Sequence, residues 1–280
     1  MTIGEKIKWM RSGKNMSQAD LADALGVSRQ AVTKWETDSG NPEIENLKAL
    51  ASLFGTSVDA IISDDMPCYT SLIQYDIDMG KDFELELVPS KNVIIEGSES
   101  EKVGIEMMSD RIPTLDSDLK VSIEDRKRKM SVEMRRKNDL TESACLEDLS
   151  IRIRLPKRYI QRIELKCNLS QLDLRGFATE DIEFEGSAEV ITLSDVHGQA
   201  EMDIHKGCLF KVADLDGSLE INQFETDSIV EVPADLKFFA KNAGRKCALE
   251  LKDGLASVDD CEDFIELNGM KSKLTIRKSA

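Results

Sequence analysis

The amino-acid sequence predicts a two-domain chain, α then β: a five-helix domain over residues 1–63, a short linker at 64–70 and a β-solenoid over 71–280. Three observations carry that expectation. Near the N-terminus apolar residues recur at spacings of three and four, so that Ile3, Ile7 and Met10 share one helical face and Leu47, Leu50, Ala51 and Phe54 another. Further on they alternate at period two, as in Phe83-Glu84-Leu85-Glu86-Leu87 and Ile151-Arg152-Ile153-Arg154-Leu155. Between the two lies Ser63-Asp64-Asp65-Met66-Pro67, whose two acids and proline continue neither period. A length of 280 residues leaves room for two domains.

The helices are delimited by explicit start and stop signals. Ser17 caps the second helix, with Asp20 as its capping-box partner and Met16 and Leu21 as a hydrophobic staple. That helix ends at Leu25, where Gly26 takes the left-handed position past its end. Ser28 caps the third helix, with Val27 and Val32 as its staple. Asn41-Pro42 reads as a cap followed by proline at the first helical position, opening a fourth helix that stops near Gly55. Residues Ser57 to Ile62 form a short fifth helix.

The second domain repeats itself. Asp173-Leu174-Arg175-Gly176, Asp195-Val196-His197-Gly198 and Asp214-Leu215-Asp216-Gly217 recur at a nearly constant interval, with pairs of short strands between them. These pairs are Ile163–Leu165 with Leu172–Leu174, Ile182–Phe184 with Val190–Thr192, Met202–Ile204 with Phe210–Val212, and Leu219–Ile221 with Ile229–Val232. A period near ~19 residues with two strands per repeat is a solenoid, in which each rung buries its apolar side by stacking on the next. Glycine serves the corners. The basic runs Arg126-Lys127-Arg128-Lys129 and Arg135-Arg136-Lys137 flank the strand Met130–Met134 and read as a hairpin turn and an exposed face.

Composition excludes several classes. The N-terminus carries charges throughout and no apolar core of a secretory signal, and no run is long enough to span a membrane, so a cytoplasmic protein without a membrane partner is expected. The six cysteines are scattered without a C-x-x-C and only two histidines are present, so no metal site is expected and the thiols read as small core residues. No nucleophile elbow, phosphate-binding loop or dinucleotide fingerprint occurs; neither an enzyme nor a cofactor is expected. The net charge of -16, from 37 basic and 53 acidic residues, argues at first against a nucleic-acid partner. Locally the balance differs: residues 1–36 carry +2, residues 37–65 carry -5 and the remainder -13.

Two helices joined by the turn Gly26-Val27-Ser28 make a helix-turn-helix. In the second of them Val32 and Trp35 point inward, leaving Arg29, Gln30, Thr33 and Lys34 on the outward face. Those residue types suit the major groove: Arg29 can fork onto guanine, Gln30 onto adenine, Thr33 can touch a thymine methyl, and Lys34 can reach guanine or a phosphate.

Residues Met16 to Glu36, followed by Asn41-Pro42 and Leu47, closely resemble the phage-repressor-like Xre (Cro/CI) family of helix-turn-helix regulators, over residues 3 to about 62. The resemblance implies a lambda-repressor-like fold and major-groove binding to double-stranded DNA. It places Gln18 on a phosphate or beneath a base contact, Arg29, Gln30, Thr33 and Lys34 on bases, and the fourth helix's N-terminus at Asn41 facing a phosphate. Ser28, at the head of the recognition helix, joins that DNA-binding set. Arg11 and Glu36 are implied as the ion pair bracing the first helix against the recognition helix. The β domain resembles the adhesin-type β-solenoid domain of bacterial proteins, on Val93-Ile94-Ile95-Glu96-Gly97-Ser98, Leu155-Pro156-Lys157 and Leu267-Asn268-Gly269 through Leu274-Thr275-Ile276.

The expectation is therefore a sequence-specific transcriptional regulator, a repressor binding as a homodimer to a two-half-site operator. Its β-solenoid would serve oligomerisation or sensing and take an effector or protein partner. The alternative is a protein-interaction scaffold, antitoxin-like or partner-binding, that uses its helical domain as a tether.

Overall fold

A computed structural model describes residues 2–13, 16–54, 58–62, 69–112, 114–137 and 139–279. The Ser63–Pro67 junction, most of the expected linker, Cys68 and the helix-end positions Gly55 to Ser57 lie outside the described residues. The chain divides into two compact units, Met1–Leu72 with Glu106–Leu119, and Ile73–Ile105 with Lys120–Ala280.

In the first unit five helices pack around one core: α1 (Ile3–Gly13), α2 (Gln18–Leu25), α3 (Arg29–Glu36), α4 (Ile44–Phe54) and α5 (Val58–Ile62). Thr2 opens α1; its hydroxyl accepts from the Glu5 N–H at 3.1 Å, and the Glu5 carboxylate accepts from the Thr2 N–H at 3.0 Å. Ser17 and Asp20 make the same reciprocal cap on α2, at 3.2 and 2.7 Å. Gly26 ends α2 with φ +66°, a left-handed conformation that costs glycine little and other residues more. Ser28 then accepts from the Ala31 N–H at 3.1 Å and starts α3. Ile7, Met10, Leu21, Val32, Trp35, Leu50, Phe54 and Ile61 fill the interior. Each such side chain contributes roughly 1.5–3 kcal/mol when fully buried.

The fourth helix departs from expectation. It begins at Ile44 rather than at Pro42, and the Glu43 carbonyl accepts its first hydrogen bond, from the Leu47 N–H at 2.9 Å. Pro42 lies one residue outside that cap and is buried, in the staple position opposite Leu47. Its ring is used for packing instead of for the first helical φ, which leaves Asn41 upstream of the helix and not as its cap.

The β domain is a parallel solenoid. Its strands are β1 (Tyr69–Asp76), β2 (Lys81–Glu86), β3 (Ser90–Ser98), β4 (Lys102–Ser109), β5 (Leu119–Asp125), β6 (Lys129–Arg136), β7 (Ser150–Pro156), β8 (Ile160–Ser187) and β9 (Val190–Ile204). They continue as β10 (Leu209–Val212), β11 (Asp216–Phe224), β12 (Asp227–Val232), β13 (Phe239–Asn242), β14 (Ala248–Leu251), β15 (Phe264–Met270) and β16 (Lys273–Lys278). Two short helices, α6 (Leu115–Asp118) and α7 (Glu142–Asp148), were not expected.

From residue 160 to 232 the rungs stack in chain order, as the repeat implies. Leu172 pairs with Ile191, Ile191 with Phe210 and Phe210 with Val230 along one column, while Phe184 pairs with Met202 and Met202 with Ile221 along the other. All seven of these side chains are buried, and stacking them is what makes one rung bury the next. At the corners Gly217 stacks on Gly198, and a Cβ on Gly217 would fall 2.1 Å from the Gly198 carbonyl oxygen.

Chain order fails at both ends. The rung β15–β16 lies between β11–β12 and β13–β14, so the rung latest in sequence is not the outermost. At the other end β2–β3 lies between β6–β7 and the start of β8. Each inserted rung has strand partners on both sides, where a rung left at the end would have one. The outer edge is short, with four residues in each of β13 and β14, and it is blunted because the Ala240 N–H donates to the Ser257 hydroxyl at 2.9 Å. The basic runs form the expected hairpin: Arg126 and Lys129 exchange backbone hydrogen bonds at 2.8 and 3.2 Å across Lys127-Arg128.

Candidate nucleic-acid interface

The outward face of α3 is set by what its inward face buries. Val32 is fully buried and Trp35 nearly so, which fixes the helix rotation and turns Arg29, Gln30, Thr33 and Lys34 to solvent. Among the described residues, the side chains of Arg29, Gln30 and Lys34 make no hydrogen bond or ion pair. Thr33 differs: its hydroxyl donates towards the Arg29 carbonyl at 3.0 Å and the Gln18 side-chain oxygen at 3.2 Å, so its methyl group is the part left for contact.

Beneath this face lies a polar brace. Glu36 is buried at the end of α3, with its side chain 2% exposed. Its carboxylate accepts from Arg11 Nε at 2.5 Å, Arg11 Nη2 at 3.0 Å and Gln18 Nε2 at 2.8 Å. Arg11 also donates from Nη1 to the Met16 carbonyl at 2.7 Å, tying α1 to the start of α2. The hydrogen bond to Glu36 raises the Arg11 guanidinium further above its already high range, so Arg11 stays charged. Arg11, Gln18, Thr33 and Glu36 thus form one chain of contacts joining α1, α2 and α3, and the brace supports Gln18 at the foot of α2.

Ser28 is exposed, with its hydroxyl engaged as the α3 cap. Asn41 is exposed in the segment before α4, apart from the α3 face in sequence and not at a helix terminus. Asp38 is a residue the sequence reading missed. At φ +53° it accepts from the Gly4 N–H at 3.1 Å and from the Thr2 hydroxyl at 2.7 Å, closing the N-terminus of α1 from 34 residues away. Local patterns cannot disclose a cap supplied from a distant turn. The Thr2/Glu5 box, by contrast, was readable from its spacing.

The basic runs of the β domain are mostly paired with carboxylates of their own domain. Arg126 pairs with Glu124 at 2.7 Å, Arg135 with Glu133 at 2.5 Å, Arg136 with Glu142 at 2.9 Å, and Lys129 with Glu84. Four of these seven cations are balanced on site, leaving Lys127 and Arg128 at the hairpin tip and Lys137 past the end of the strand without an ion pair among the described residues. Of the described cysteines, Cys145, Cys167 and Cys208 are buried as expected, with burial pushing the last two up to about 12. Cys247 and Cys261 are half-buried. Among the described residues no group of histidine, cysteine and carboxylate side chains could hold a metal ion, and no helix is long and apolar enough to cross a membrane.

A helix-turn-helix domain followed by a β-solenoid is the class that fold and site define. Comparison with known proteins places the chain more closely: residues 7–61 match the Helix-turn-helix family and residues 81–236 match the family described as Toastrack DUF4097. The chain belongs to both, a helix-turn-helix protein at its N-terminus and a Toastrack DUF4097 protein over more than half its length. It is 40% identical over 65 residues to the HTH-type transcriptional activator BcrR of Enterococcus faecalis, 23% of this chain and 32% of that protein. It is 36% identical over 56 residues to the uncharacterized HTH-type transcriptional regulator MJ0272 of Methanocaldococcus jannaschii, 20% of this chain and 85% of that one. Among solved structures, the P22 c2 repressor in complex with a synthetic operator is 34% identical, with 23% of this chain and 98% of that chain covered and a TM-score of 0.23. The chain spans only about a third of BcrR.

Proposed function

We propose that the protein is a sequence-specific DNA-binding transcriptional regulator, a repressor that binds as a homodimer to an operator of two half-sites. The observation that carries this reading is the α3 face, where Arg29, Gln30 and Lys34 stand exposed without side-chain partners among the described residues, on a helix whose rotation is fixed by a buried core and a buried ion pair. Arg29 reads guanine, Gln30 reads adenine, Thr33 meets a thymine methyl through its methyl group, and Lys34 takes guanine or a phosphate. Gln18 offers its remaining N–H to a phosphate, and the exposed Ser28 and Asn41 flank the same backbone. The P22 c2 repressor, solved on its operator, supports the mode of binding. A net of +2 over residues 1–36 allows few phosphate contacts per copy, which favours two copies on two half-sites.

Genome-wide mapping of bound sites supplies the operator on which this is tested. Arg29→Ala and Gln30→Ala are each expected to lose about 1–3 kcal/mol on that operator, with relaxed preference at one base position per half-site, and to change little on random DNA. If both variants bind operator and random DNA as the parent does, base reading by α3 is wrong. Sedimentation of the operator complex is expected to give two copies per operator; one copy overturns the two-half-site arrangement.

A further inference from the structure

One column of the solenoid carries a charge pattern that packing does not account for. Parallel register places Glu84 beside Glu164, Glu183 beside Glu201, Glu201 beside Glu220, and Glu220 beside Glu266. Glu164 and Glu183 are joined within β8, where successive rungs lie nineteen residues apart and Lys166 spans Glu164 and Glu185 at 3.1 Å each. Six glutamates therefore stand in one outward-facing line at strand spacing, ~4.8 Å apart. Like charges directly opposite each other weaken a sheet.

The other column of the same solenoid shows that this pattern is not imposed by the fold. There the equivalent line runs Arg152, Ile94, Asp173, Thr192, Lys211, Glu231, Arg277, with no two like charges adjacent. Cations reach the glutamate column near its ends: Lys129 at Glu84, Lys166 at Glu164, and Lys241 at 3.6 Å from Glu266. Among the described residues the central three have no ion pair, and Glu201 accepts from Asn222 Nδ2 at 2.7 Å.

We propose that this glutamate column is a pH-responsive element of the β domain, which gains stability as the Glu183 and Glu220 carboxyls on either side of Glu201 take up protons on mild acidification and loses it as they ionise. The groups facing each member are consistent with that direction. Desolvation, then Asp181, Glu164 and Glu201, push the Glu183 carboxyl above its ordinary range, with Arg162 turned to Glu180 at 3.6 Å and Lys166 to Glu164 and Glu185. Desolvation, then Glu266 and Glu201, push Glu220 the same way, with Asp181 adding and Lys241 opposing, and Asp203, two residues on from Glu201 and paired with Asn222, is held with Glu201 by the Asn222 amide. A carboxyl raised in the folded state stabilises fully below its unfolded pKa, and that stability is lost as pH rises through the folded value.

The test uses the full chain and the isosteric variant Glu201→Gln, because Glu201 stands between the other two. In a carboxyl-carbon NMR titration of the parent, Glu183 and Glu220 are expected to titrate above Glu250, which Lys273 holds low. Glu201→Gln is expected to bring both down. Its melting temperature is expected to exceed the parent's by about 2–4 °C near pH ~7.5, and to match it near pH ~4, where the raised Glu183 and Glu220 carboxyls of the parent take up protons. Glu231→Gln, which breaks the Arg277 pair at 2.7 Å in the other column, is expected to lower it near pH ~7.5. Titration midpoints of Glu183 and Glu220 that ignore Glu201→Gln overturn the proposal, as does a thermal gain that persists unchanged in acid.

Discussion

Glu36 ties α3 to both of the helices that precede it. It is the last residue of α3, and three donors from α1 and α2 converge on its two oxygens at 2.5, 2.8 and 3.0 Å. A buried carboxylate stripped of its cation keeps its desolvation penalty without the attraction that offset it. Arg11→Met retains the aliphatic stem and removes the charge, so it isolates this effect from packing. It is expected to destabilise the helical domain by about 3 kcal/mol, measured by urea unfolding. Operator affinity should fall as well, because Gln18 and Thr33 are held through the same carboxylate. The double variant Arg11→Met with Glu36→Gln should recover part of the stability, since it leaves no buried charge to neutralise; if the double variant is as unstable as the sum of the singles, the brace is not an ion pair in energetic terms.

At the scale of elements, α1 crosses the end of α3 at a glycine. A Cβ on Gly4 would fall 2.1 Å from the Trp35 carbonyl oxygen and 2.7 Å from the Asp38 carboxylate. Backbone oxygen does not yield as the tip of a flexible side chain would, so Gly4→Ala must push α1 off α3. A cost of about 1–3 kcal/mol is expected, as for other overpacked sites, against a small helix-propensity gain of under ~1 kcal/mol for alanine. Thermal unfolding decides between the two signs, and a stabilised Gly4→Ala would show the close approach to be wrong. This contact also marks what a sequence reveals. Ser17, Gly26 and Ser28 were legible as start and stop signals because a cap and its partner lie within four residues. Gly4 reads as any glycine near a helix start, and Asp38 as an exposed turn acid, because each answers to a partner about thirty residues away. Pro42 misled for the same reason: its local preference for the first helical position yielded to burial beside the core. The exposed set Arg29, Gln30, Thr33 and Lys34 was legible because helical period alone separates it from Val32 and Trp35.

Across the whole molecule, rung order decides which end of the β domain tolerates damage. Over residues 160–232 the repeat could be read from the sequence, since each strand meets its partner one rung later. Beyond Val232 that rule breaks, because Val230 pairs with Ile276 while Leu249 pairs with Leu274. No periodicity announces the exchange, since the strands of both rungs carry the same alternation and either could have been outermost. Chain order would make β16 the exposed end and β14 an interior strand. The structure reverses this: Ile276 is fully buried, flanked by Val230 and Leu251, whereas Leu249 sits half-exposed on the outer rung. Ile276→Ala is therefore expected to destabilise the β domain by about 2–5 kcal/mol, the cost of a cavity with neighbours on both sides. Leu249→Ala should cost under ~1 kcal/mol, since much of its surface already meets water and the gap can fill with solvent. Denaturant unfolding of the two variants measures the difference. Stacking in chain order requires the opposite ranking, so a larger loss for Leu249→Ala would overturn the inserted rung.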